Sequence, residues 1–162
     1  MNLQPGDALR YWQISAITEE RFDIPDAPLH GEMDPFFFLT KDKNFIPHEY
    51  PCRTEFAARF RDERPDLRGA PEWSANILSF GQDLLDLSGF WFRPTRLAAW
   101  ARTVLSADQA GRARFRLTTC GGAILFVNGA EIGWMAPYIR NYNSAQEFEV
   151  DLREGENEIT IF

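Results

Sequence analysis

The dipeptide Asn128-Gly129 restricts what this chain can fold into more than any other pair of residues in it. It sits between the apolar runs of GGAILFV and AEIGW. Asparagine and glycine both tolerate positive φ, which a two-residue turn of type I′ needs at both central positions, so the segment predicts an antiparallel hairpin with Val127 facing Ala130. The residues that follow extend the pattern. EFEVDL alternates strictly, which puts Phe148, Val150 and Leu152 on one face and Glu147, Glu149 and Asp151 on the other. Glu154-Gly155-Glu156-Asn157 reads as a turn, after which Ile159 and Ile161 resume the inward set. Upstream, Ala113, Phe115 and Leu117 alternate with Arg112, Arg114 and Arg116. Strands that are half apolar and half charged belong in an antiparallel sheet with one face on a core and one in water.

The same stretch, from Gly111 to Phe162, carries a resemblance. Gly121-Gly122, Leu125, Val127 and Asn128-Gly129 are followed by Arg140-Asn141, and then by Leu152, Gly155, Asn157 and Ile159. This pattern resembles the N-terminal β-sandwich of many glycoside hydrolases, a jelly-roll, galactose-binding-like domain. It covers the last third of the chain well and the region from Trp73 to Leu105 loosely. Because the matching residues are turn and core residues, the resemblance speaks to fold more than to activity. It implies an all-β fold, an antiparallel β-sandwich of jelly-roll or galactose-binding-domain-like type. It also implies an accessory module whose partners are other domains of the same polypeptide.

Composition fits a globular chain. Its 162 residues are 44% hydrophobic and 14% aromatic, enough for one domain with its own core. Seventeen basic residues against twenty-four acidic ones leave a net charge of -7. That balance argues against nucleic acid or an anionic membrane surface as partner and suits a neutral ligand such as a carbohydrate. No segment reaches the roughly 20 apolar residues of a membrane helix. The opening MNLQPGDALR lacks the basic start and apolar run of a secretory signal, and Cys52 and Cys120 are too few for a disulfide framework; cytoplasmic residence with reduced thiols is the expectation. At the other end EITIF stops within a strand pattern, and a single domain over residues 1–162, forming an N-terminal fragment of a larger protein, is expected.

Along the chain, residues 8–17 read as a first strand and Phe36–Leu39 as a short buried strand, while in Thr54–Arg61 Phe56, Ala57 and Phe60 fit a helix face and Phe56 and Phe60 also an alternating strand, which its neighbours favour. Residues 62–72 are charged and rich in proline and glycine, a surface loop. Trp73–Phe80 reads as a strand, and residues 82–90 as a short helical turn or crossing loop. Leu97–Leu105 poses a conflict: Leu97, Trp100, Ala101, Val104 and Leu105 fall at helical spacing, whereas the place just before a turn and the Arg112–Thr119 strand favours a hairpin partner. We expect a strand. Ala98, Trp100 and Val104 put apolar residues on both of its faces, as a surface meant for a neighbouring domain would.

No arrangement of residues announces catalysis. Glycoside hydrolysis needs two carboxyl groups roughly 5 to 9.5 Å apart, but the carboxylates lie on alternating outer faces or in turns, and Asp83 with Asp86 fits a solvated turn. His48 and Cys52, with His30 and Cys120 elsewhere, fall short of the three or four ligands of a zinc site, and no dense Asp/Asn run marks calcium. No catalytic residue, metal or cofactor is therefore expected. Gly121-Gly122 has no phosphate-loop spacing and reads as a tight bend between strands. The recognition candidate is the segment 133–144, GWMAPYIRNYNS. Trp134, Tyr138 and Tyr142 offer flat faces for a sugar ring, and Arg140, Asn141 and Asn143 offer donors and acceptors for hydroxyls. The competing reading gives Arg140 and Asn141 to backbone carbonyls of the loop and Trp134 to the core.

The expected function is a non-catalytic accessory module of a larger glycoside-hydrolase-like, carbohydrate-active protein. A self-standing carbohydrate-binding module and a small sugar-modifying enzyme are the alternatives.

Overall fold

The computed structural model describes residues 4, 6–21, 72–78, 84–87, 95–136 and 143–162. The described residues form ten strands and no helix: β1 (Tyr11–Ser15), β2 (Thr18–Arg21), β3 (Trp73–Leu78), β4 (Thr95–Ala98), β5 (Ala101–Ala107), β6 (Gly111–Thr119), β7 (Ala123–Val127), β8 (Ala130–Met135), β9 (Ser144–Leu152) and β10 (Gly155–Ile161). The chain divides into two compact units, one of residues 1–18, 65–88 and 97–162, the other of residues 19–64 and 89–96. Of the second unit, the described residues are 19–21 and 95–96, parts of β2 and β4, which pair as a two-stranded sheet. The expected strands at Phe36–Leu39 and Thr54–Arg61 lie outside the described residues.

In the first unit, six strands form one sheet in the order β3-β1-β5-β10-β7-β8, and β6 and β9 form a second. The pairings are antiparallel. Leu105, Leu125, Val127 and Ile159 of the larger sheet and Phe148 and Val150 of the smaller one bury together in a single core, with Ala113, Phe115, Leu117 and Leu152 packed against it. The described residues are all-β and antiparallel, consistent with a β-sandwich. The same face of the larger sheet continues into a second cluster of Trp12, Ile14 and Ala101, covered by Leu9, Leu85 and Leu87.

The hairpin forms as its sequence predicts. Asn128 has φ 51° and Gly129 φ 82°, and Val127 pairs with Ala130. Gly129→Ala forces a Cβ into the left-handed region and is expected to cost about 1 kcal/mol in urea unfolding. One feature of the hairpin is not in the pattern: Leu125 pairs with Gly133 and Phe126 with Glu131, so Ile132 is an extra residue in β8, a bulge. Ile132 turns into the core, and Gly133 comes against the ring of Phe148.

β6 and β9 follow their alternation. Arg112, Arg114 and Arg116 stand opposite Asp151, Glu149 and Glu147 on the outer face. Arg112 reaches Asp151 at 3.2 Å and Glu149 at 3.4 Å, and Arg114 reaches Glu147 at 3.4 Å. The hydrogen bond to Asp151, and then the charges of Asp151 and Glu149, push the Arg112 guanidinium further above its ordinary value, so Arg112 stays charged at working pH. Its groups are exposed, and water and salt screen them. The ladder favours one register over its slips. Arg112→Ser is expected to leave the denaturant midpoint unchanged at 0.15 M salt, as equilibrium unfolding will show.

Leu97–Leu105 is extended, against its helical spacing, but it is two strands with a break at Ala99-Trp100, and β5 pairs with β1 and β10 rather than as a hairpin with β6. The break is held from β1: the Ser15 backbone N–H donates to the Trp100 carbonyl (3.0 Å), and the Trp100 N–H donates to the Ser15 hydroxyl (2.9 Å). Trp100 is buried, its ring 5.8 Å from that of Phe126 and 4.9 Å from that of Phe162. It belongs to the interior, whereas Val104 is 50% exposed. The expectation of an apolar docking surface thus loses Trp100 and keeps Val104. The expected turn at residues 154–157 is also shorter than its composition suggests, because β10 already begins at Gly155 and Asn157 points inward.

Candidate functional site

The Asn128-Gly129 turn and the Cys120-Gly121-Gly122 bend lie at opposite ends of the paired strands. At one end the Asn128-Gly129 turn meets the corner between β9 and β10. Asn157 is 0% exposed, and its amide is saturated. Its oxygen accepts from the Asn128 side-chain amide (2.9 Å) and the Arg153 N–H (2.9 Å), while its NH2 donates to the carbonyls of Arg153 (2.8 Å) and Gly155 (3.1 Å). Asn128 is tied in turn: its backbone N–H donates to the Glu158 carbonyl (2.8 Å), and its side-chain oxygen accepts from the Glu158 N–H (3.0 Å). Every polar group of the two side chains named here closes this end upon itself.

At the opposite end, Thr119 pairs with Ser144 and Ala123 with Met135. That register sets the Cys120-Gly121-Gly122 bend beside the end of β8 and the start of β9. The bend is tight, with the Gly121 N–H donating to the Thr119 hydroxyl at 3.1 Å. Phe162 exchanges backbone hydrogen bonds with Ile124, both at 3.0 Å, so Phe162 lies towards this end.

Trp134 is half-buried and pairs with Ile124. Residues opposite one another on a ladder share a face, and Leu125 and Val127 point into the core between the sheets. Ile124, Phe126 and Trp134 therefore share the outer face of the larger sheet, where Ile124 is 0% and Phe126 6% exposed. Asn143, which directly precedes β9, is exposed. Trp134 and Asn143 thus bracket the candidate segment, while Tyr138, Arg140, Asn141 and Tyr142 lie outside the described residues. Among the described residues no group of three or more His, Cys, Asp or Glu side chains is placed to hold a metal ion. Cys120 is an exposed free thiol. Cys52, His30, His48 and Asp83 lie outside the described residues, and Asp86 is exposed. No helix among the described residues is long and apolar enough to cross a membrane.

A further cluster on the outer face of the larger sheet has no local spacing to announce it. The Arg102 Nε donates to the Gln13 side-chain oxygen at 2.7 Å, its guanidinium lies 4.5 Å from the centre of the Trp73 ring, and Glu158 stands 3.6 Å away. A guanidinium over the face of an indole at this distance is a favourable cation–π arrangement. Tyr11, Leu78 and Val104 lie exposed on the same face, since Tyr11 pairs with Leu78, and Gln13 with Arg102.

No protein-family model, no curated protein and no solved structure matches this chain.

Proposed function

We propose that this chain is a non-catalytic accessory module of jelly-roll, galactose-binding-like type within a larger glycoside-hydrolase-like, carbohydrate-active protein, and that the segment Gly133–Ser144 is its part turned towards the sugar. The observation that supports the reading is the composition of that segment, which the half-buried Trp134 and the exposed Asn143 border. The residues of the resemblance that lie in the hairpin turn and the β9–β10 corner, Asn128 and Asn157 above all, are consumed in closing one end. At the other end Trp134 is half-buried and Asn143 exposed, at the borders of a segment rich in aromatic and amide side chains. Such a combination of flat apolar faces and paired donors and acceptors suits a neutral hydroxylated ring.

The second reading, a self-standing carbohydrate-binding module, rests on the same Trp134. One experiment separates the two. The purified chain is titrated against a panel of soluble glycans by tryptophan fluorescence, and the same mixtures are assayed for released reducing sugar. The accessory reading expects no hydrolysis and no tight binding by the isolated chain. Saturable binding that Trp134→Ala weakens about tenfold, ~1.4 kcal/mol, favours the self-standing module. Release of reducing sugar by the pure chain overturns both.

A further inference from the structure

We draw no further inference here: the strongest candidate, the exposed row of Tyr11, Leu78 and Val104 beside the Trp73-stacked Arg102 on the outer face of the six-stranded sheet, is an unpartnered sheet face, and nothing in the structure shows what covers it.

Discussion

Asn157→Ala is expected to destabilise the protein by about 3 kcal/mol, read as a lower urea midpoint with an unchanged slope. The size follows from what the truncation abandons. The Arg153 N–H, the carbonyls of Arg153 and Gly155 and the Asn128 amide all lose their partner at once, at a position with no exposure to water. A buried group left without a partner costs roughly 1–3 kcal/mol, and some of these four regain water once the side chain is gone. Asn157→Asp tests the directionality. It keeps the shape and both accepting bonds, but it sets a carboxylate oxygen against the two carbonyls that now receive N–H groups. It is expected to be at least as harmful at neutral pH. Two carbonyls facing the carboxylate favour its protonated form, so the folded-state pKa rises above the unfolded one, and stability returns as pH falls through that folded value. An Asn157→Asp variant as stable as the parent at pH 7 contradicts the clamp.

Gly133→Ala is expected to cost about 2 kcal/mol by overpacking. A Cβ at this position would lie 2.7 Å from Cε1 and 3.0 Å from Cδ1 of Phe148. The Phe148 ring is buried and pairs with Phe115 within the shared core, so it cannot simply turn aside. The bulge at Ile132 brings the two together, since it delivers Gly133 to the core face that Leu125 occupies. Combining Gly133→Ala with Phe148→Leu gives the sharper test. If the clash is the cause, the double variant is less destabilised than the sum of the two single variants. Strict additivity would mean that the alanine acts elsewhere.

These two positions also mark what could be read from the sequence and what could not. β6, β7, β8 and β9 were legible because alternation and the Asn-Gly turn are local signals, and Val127 pairs with Ala130 as expected. The strand content of Leu97–Leu105 was not legible from periodicity: its apolar residues fit a helix, and pairing with β1 and β10 overrides that preference. The bulge was hidden because an extra residue leaves no mark in a short apolar run. Asn157 looked like a turn residue, and its burial follows from meeting Asn128, 29 residues earlier in the chain. For the candidate site, the concentration of aromatic and amide side chains between Gly133 and Ser144 was visible, and Trp134 and Asn143 stand at its borders. The Arg102 cluster was not, because Gln13 and Arg102 are 89 residues apart and only the β1–β5 pairing joins them.

The central claim is that this chain works as one module of a larger carbohydrate-active protein, and the most direct measurement is to sequence the full-length transcript across the codon for Phe162. The account predicts an open frame that continues into a catalytic domain with a pair of carboxylates at glycosidase spacing. A stop codon immediately after Phe162 would contradict it.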